Sequence, residues 1–358
     1  MSPGYKPQLD TLRAFAMTGV LYVHFWNEDP ALEGVRVGLF FVLSGYLITR
    51  MLVRAKGAGA WRNVRKFYAR RLLRLQPALL VMLGGAVILN VDHVRATLLW
   101  HVFQLTNVLY LIERAWTPWI TAHLWSLNVV EQFYAFWPLV VLFLPARAIW
   151  AAAALMIIAG IAYGMSDFAN SDPTGITRDL FPVAGFDAIG IGAVVALIEW
   201  RRPETLRPLA ATWVGVAALC VLLSPLALGR NAWSSQAYEI CSQLSLAAIV
   251  AGAAFGYQGA LKRVLELPPL LYLGRISYGV YIYHLLLLDL AFRLVPDLSL
   301  EPGPSRFFTV SAATIVTASL SWHFLEAPIA RLKRAFPVAT PSSAPVAKTR
   351  IAVSPDAA

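Results

Sequence analysis

The chain has 358 residues, of which 58% are hydrophobic and only 14% charged, with a mean hydropathy of +0.61 and a net charge of +10. Soluble domains are about 25% charged, and a chain of this length has too little interior to bury several all-apolar helices inside one another. The composition excludes a soluble globular fold, and the two cysteines, Cys220 and Cys241, offer neither a disulfide framework nor a zinc-type spacing.

Apolar runs predict spans near 9–26, 35–53, 75–91, 124–144, 148–165, 180–199, 208–228, 239–257, 269–292 and 306–325, each suited to a hydrocarbon core of roughly 30 Å. The expected fold is all-α: a polytopic protein of the cell's inner or plasma membrane with about ten transmembrane helices. Loop charge orients it. Residues 50–74 hold nine Lys or Arg and no acid, whereas residues 27–34 hold Glu28, Asp29 and Glu33 and no base. That asymmetry is the positive-inside pattern and places both termini in the cytoplasm. It also accounts for the net charge without nucleic acid.

The first run, LDTLRAFAMTGVLYVHFW, is followed by no small-residue cleavage site and is expected to stay as a span rather than a signal peptide. It keeps Asp10, Arg13 and His24, and an ionisable group at the centre of a membrane helix costs on the order of 2.5–3.5 kcal/mol. Asp10 and Arg13 are three apart, within reach of an ion pair. His24 returns to nearly the same face about 16 Å further along the axis. Either the run holds an ion pair and a packed histidine, or it forms a polar track toward the outer half of the membrane.

In the second run, VGLFFVLSGYLITRML, Gly38, Ser44 and Gly45 allow close helix approach. The basic loop then ends in FYARRLLRLQPALL, where Arg70, Arg71 and Arg74 share one helical turn. Positive-inside topology explains basic residues there, but guanidinium forks also suit bidentate phosphate binding. The apolar segment 97–112 creates a parity problem: if it crossed, every later basic loop would face outward. It is therefore expected to be interfacial or re-entrant. Within HLWSLNVVEQFYAFWPLVV, Glu131 sits about two turns inside an aromatic-rich helix and needs a partner, structural or catalytic. In ISYGVYIYHLLLLDL, Ser277, Tyr281 and His284 fall at i, i+4 and i+7, one polar face of an apolar helix. The last span closes with His323 and Glu326, and basic residues follow it. Residues 1–335 are expected to form the membrane domain and 336–358, rich in Pro, Ala and Ser, a disordered cytoplasmic tail, with no soluble domain appended.

Read together, RAFAMTGVLYVH, GLFFVLSGYLIT, RLLR, LWSLNVVEQFYAFWP, SYGVYIYH and HFLEAPIAR resemble, in order, the motifs of the acyltransferase-3 family of integral membrane enzymes. The resemblance covers residues 6 to 334 or so and implies transfer of an acyl group, often acetyl, from cytoplasmic acyl-CoA to a hydroxyl of a glycan or glycosylated metabolite. It makes His24 the catalytic histidine and Arg13 its motif partner, supported by Asp10. It also implies that Arg71 and Arg74, with Arg70, handle acetyl-CoA. Glu131, Ser277, Tyr281 and His284 become candidates for orienting the acceptor or stabilising an oxyanion, and no metal is implied. One departure stands out: the family's paired glutamates are reduced here to Val130 and Glu131. The competing expectation is a transporter or flippase using the same buried ions as a relay.

Overall fold

The computed structural model describes residues 5–27, 30–57, 59–91, 93–166, 168, 171, 176–228, 235–295 and 301–336. Apart from Phe336, the expected tail lies outside them. The described residues form helices and no strand: α1 (Pro7–Phe25), α2 (Pro30–Arg54), α3 (Ala60–Ile88), α4 (Val94–Val102), α5 (Thr106–Glu113), α6 (Leu124–Phe143), α7 (Ala146–Gly164) and α8 (Ile176–Leu180). There follow α9 (Phe186–Arg201), α10 (Pro203–Leu206), α11 (Thr212–Leu228), α12 (Ser235–Phe255), α13 (Gly259–Leu265), α14 (Pro268–Leu294), α15 (Pro304–Ser321) and α16 (Ala327–Arg331).

Among these, six are long and apolar enough to cross a bilayer: α2, α3, α6, α7, α12 and the continuous stretch from α15 through α16. A seventh is gained if Pro203–Ala210 and Thr212–Pro225, bent by 75°, count as one span. The expectation of about ten crossings is therefore met only roughly by this measure. Helix α9, at 16 residues, falls short in length. Helices α1 and α14 are long but carry ionisable residues along their length, Asp10, Arg13 and His24 on one, Arg275, His284 and Asp289 on the other. The protein is a multi-pass membrane protein.

Segment 97–112 does not make a continuous helix. It divides into α4 and α5, of 9 and 8 residues, around Gln104 with φ of 60°. Neither piece is long enough to cross. Backbone polar groups freed at such a break must be satisfied within the protein. Asn128 of α6 meets that need: its Oδ1 accepts from the backbone N–H of Thr106 and Asn107 at 2.7 and 3.3 Å, and its amide donates to Gln104 at 2.7 Å.

Two large apolar cores form, beside a small one of Leu109, Tyr110, Ile176 and Leu180. One joins α2, α6, α7, α9 and α12; the other joins α3, α14 and α15. Helix α1 bridges them, with Leu9, Leu12 and Ala16 in the first and Met17, Val20, Leu21 and Phe25 in the second. Phe40 packs against both. The helices meet at very close crossings. A Cβ on Gly45 would lie 2.0 Å from the Ile189 carbonyl oxygen, and one on Gly192 would lie 2.1 Å from that of Val42, so α2 and α9 touch backbone to backbone. A Cβ on Gly274 would lie 2.0 Å from the Asp10 carbonyl oxygen, where α1 crosses α14. The small-residue pattern at Gly45 thus serves packing. Lys56 donates to the Val141 and Leu144 carbonyls at 2.5 and 2.7 Å, a cation at the negative end of α6.

Candidate active site

The last turn of α1 leaves carbonyls with no partner inside the helix. Two residues from beyond α14 supply one: Arg306 Nη2 donates to the His24 carbonyl at 2.6 Å, and the Gly303 N–H donates to the Phe25 carbonyl at 2.9 Å. The turn bearing His24 is thereby fixed from outside the helix. The imidazole faces α14, where its ring stacks on His284 with centroids 4.9 Å apart and planes 6° apart. His123, at the start of α6, packs edge-on against His284 with centroids 4.7 Å apart.

Hydrogen bonding sets the tautomers of both stacked rings. His284 Nδ1 lies 2.6 Å from the Tyr281 carbonyl, which can only accept, so Nδ1 carries the hydrogen. In the neutral ring Nε2 is then an acceptor, and His24 Nδ1, 2.8 Å away, donates to it. That leaves His24 Nε2 with a lone pair. It faces Arg36 Nη2 at 3.2 Å, and the same Nη2 donates to Glu33 at 2.7 Å. The chain runs from Glu33 through Arg36, His24 and His284 to a backbone carbonyl. Chemically, it presents one imidazole nitrogen as a base or nucleophile.

On the side that loop charge predicts to be cytoplasmic, a cavity of about 360 Å³ is lined by Arg13, Arg50, Lys66 and Lys333 together with Arg70, Arg71 and Arg74, and by no carboxylate. Its inner wall includes Phe40, whose ring lies 6.2 Å from that of Tyr281. A second space of about 460 Å³ shares Arg13, Leu47, Arg50, Arg74 and Lys333 with it. Burial, reinforced by Arg74, Arg70 and Arg71, brings the Lys333 ammonium down to about 8 against a weaker pull from Glu326. On the opposite side a larger cavity, about 1040 Å³, is lined by Glu33, Asp179, Asp187, Glu239 and the rings of Trp125, Tyr163 and Tyr238. Burial pushes Asp179 up to about 6, with Arg178 opposing and Glu33 and Glu239 adding to the rise. Glu33 thus belongs both to this cavity and to the histidine chain.

The expected site residues divide between these places. His24 and His284 come together directly. Tyr281 sits beside them but is committed, its hydroxyl donating to the His123 carbonyl and bonding Ser126 at 2.9 Å. Ser277 is buried and donates to the Gly274 carbonyl of its own helix, away from the histidines. Arg13 pairs with Asp10 at 2.7 Å, and Asp10 also accepts from Tyr5 at 2.8 Å. Both line the cytoplasmic spaces rather than touching His24. Glu131 pairs with Arg71 at 3.0 Å, and the Arg71 guanidinium lies 3.7 Å from the centre of the Tyr134 ring. Glu131 therefore belongs with the arginines. Among the described residues no cluster of three His, Cys, Asp or Glu has the arrangement of a metal site.

A family model described as an acyltransferase domain, the acyltransferase-3 model, matches residues 6–323. The chain belongs to the acyltransferase-3 family. The match takes in the α1 turn with His24, the arginines of α3 and the α14 face. This acyltransferase-3 chain is 29% identical over 366 residues to YrhL of Bacillus subtilis (strain 168), provisionally named a peptidoglycan O-acetyltransferase; the alignment covers 91% of this chain and 55% of that protein. It is 26% identical to the peptidoglycan O-acetyltransferase OatA of Listeria monocytogenes serovar 1/2a, over 91% of this chain and 56% of OatA. A provisionally named O-acetyltransferase of Staphylococcus aureus (strain MSSA476), SAS0844, is also 26% identical, over 90% and 57%. The chain thus spans a little over half the length of these relatives. No solved structure matches it.

Several neighbours of the site escaped the reading of the sequence. Arg36 and Arg306 were not singled out, and Glu33 counted only as loop charge. The signal for Arg36 was present: an arginine in an apolar run carries the same insertion cost that marked Arg13, and EGVR places an acid three residues before it.

Proposed function

We propose that this acyltransferase-3 protein is an O-acyltransferase that moves an acetyl group from cytoplasmic acetyl-CoA to a hydroxyl of a glycan or glycosylated metabolite on the far side of the membrane. The observation that carries the reading is the hydrogen-bond chain that leaves His24 Nε2 without a hydrogen, its lone pair turned toward Arg36. The names of the relatives agree with it.

The cationic cavity suits a donor bearing phosphates. Arg71 and Arg74, with Arg70 and Lys333 beside them, would hold those phosphates, since charge-assisted contacts to guanidinium are about twice as strong as neutral ones. Arg71 is oriented for that work by Glu131 below and Tyr134 beside it. The pantetheine arm would follow the seam past Phe40 to His24. The acceptor would enter from the opposite cavity, whose aromatic rings and carboxylates suit sugar faces and hydroxyls. His24 Nε2 then takes the hydroxyl proton while the hydroxyl oxygen attacks the thioester carbon. The C–S bond breaks and the thiolate of CoA recovers the proton. The two-step variant, in which Nε2 itself carries the acetyl group, uses the same atoms.

The test is purified full-length protein in detergent with acetyl-CoA and, in turn, chitotetraose, cellotetraose and solubilised peptidoglycan. Release of CoA thiol and a mass gain of one acetyl on the glycan are expected. His24→Gln should reduce the rate by about 10²–10⁴, the usual worth of a positioned acid–base group. Labelled glycan crossing a reconstituted vesicle with no consumption of acetyl-CoA would instead establish the transporter.

A further inference from the structure

We propose that Arg36 is a catalytic residue of the acyl transfer: its guanidinium binds the oxyanion that forms on the thioester carbonyl when that carbon is attacked. This rests on the reading of His24 as the group at which the acyl group is transferred.

Arg36 is an arginine of the apolar helix α2 and is only 6% exposed. A cation there must be matched, yet only part of it is. Nη2 serves both Glu33 and His24, while Nε is fully buried and has no hydrogen-bond partner among the described residues. A buried donor left without a partner bears its full desolvation cost, so its presence here points to a ligand that is there only during the reaction. Nε and Nη2 lie on one edge of the planar guanidinium, the edge that takes an oxygen in bidentate fashion. One corner of that edge, Nη2, faces His24 Nε2 at 3.2 Å.

The geometry fits the sequence of charges. In the resting arrangement Arg36 Nη2 occupies the lone pair of His24. When an acceptor hydroxyl takes that position, the Nη2 hydrogen is released. The carbonyl oxygen, gaining the π electrons of the C=O bond as the new C–O bond forms, then meets Nε–H and Nη2–H together. Collapse returns the electron pair, expels CoA thiolate and passes the His24 proton to it. If His24 Nε2 attacks first, the same oxygen bears the same charge. Glu33 fixes the guanidinium from the side of the outer cavity and acts as a positioning residue. Donors preset toward an oxyanion in a site closed to water contribute more than any other single term in many acyl transfers.

The experiment compares Arg36→Gln, Arg36→Lys and Arg36→Ala with wild type in full-length detergent-solubilised protein, using acetyl-CoA and whichever glycan of the panel above is turned over. CoA binding measured by calorimetry reports whether each variant keeps the donor site. Arg36→Gln should lower kcat by about 10²–10³ with KM for acetyl-CoA and CoA affinity within about threefold of wild type. Arg36→Lys should be intermediate, Glu33→Gln should lose less than tenfold, and methylguanidinium should restore part of the Arg36→Ala rate. A kcat for Arg36→Gln within threefold of wild type overturns the proposal while leaving the role of His24 standing. So does a loss in every Arg36 variant that is accompanied by lost CoA binding and not restored by methylguanidinium, because that pattern is structural. Absence of turnover in wild type with every glycan removes the underlying reading and this one with it.

Discussion

Lys333 follows the last membrane helix and faces Arg70, Arg71 and Arg74 across the cationic cavity. Burial first, then these like charges, bring its ammonium from 10.5 down to about 8. Sign follows directly. The folded protein without ligand loses this proton near pH 8, whereas the unfolded chain keeps it to about 10.5, so between those values the unfolded state binds more protons and stability rises with pH. Binding of a phosphorylated donor has the opposite dependence, because it needs the charge. CoA affinity, measured by calorimetry from pH 7 to 9.5, should fall by about two- to fivefold, the range of a partly exposed charge pair. In Lys333→Arg the fall should vanish. Residue chemistry of this kind was only half legible from the sequence. RLLR announced its arginines by spacing, but Lys333, more than 250 positions away, joins them only through the fold.

At the scale of helices, the pairing of α1 with α14 decides whether His24 and His284 meet. His24 stands in the last turn of α1 and meets His284 in the second half of α14, whereas the two backbones touch nearer the start of both helices, at Gly274 and Asp10. Gly274→Ala would drive a methyl to 2.0 Å from a carbonyl oxygen, so the helices must separate. Overpacking of this kind costs about 1–3 kcal/mol. The expected result is a lower melting temperature in detergent together with a reduced kcat, although the substituted residue lies far from the histidines. Gly45→Ala should destabilise as much through the α2–α9 crossing. The sequence supplied most of the elements through hydropathy, and its loop charge argued against a continuous span at 97–112, where the structure has two short helices. What it could not supply was pairing. Ser277, Tyr281 and His284 share a helical face, yet Ser277 is satisfied by its own helix and only His284 reaches His24, a distinction made by α1 and not by spacing. Likewise Glu131 follows Arg71, because α3 and α6 bring them together.

For the whole molecule, one orientation connects two chemically opposite spaces: one lined by arginine and lysine, the other by carboxylates and aromatic rings. Positive-inside bias predicts the first in the cytoplasm, together with Arg201, Lys262 and Arg263, and the second outside. Single cysteines placed at Lys262 and at Trp119, in a background lacking Cys220 and Cys241, test this. A membrane-impermeant maleimide applied to intact cells should label the cysteine at 119 and leave that at 262 unlabelled until the membrane is opened. Overall class and membership of a family were legible from composition and motif order. The outer cavity was not, since Glu33, Asp179, Asp187 and Glu239 come from four separate helices and no local pattern links them.

The hydrogen-bond chain behind His24 ends on the Tyr281 carbonyl, an oxygen that cannot pass a hydrogen on. It is a cul-de-sac. Under the proposed chemistry, a proton lent to the imidazole finds no onward hydrogen bond from His284 among the described residues and leaves by the side on which it arrived. An enzyme seated between a cytoplasmic substrate and an external one would otherwise risk becoming a leak for the proton gradient across its membrane. If His24 transfers acyl groups as proposed, ending the chain on the backbone would let them cross where hydrogen ions do not.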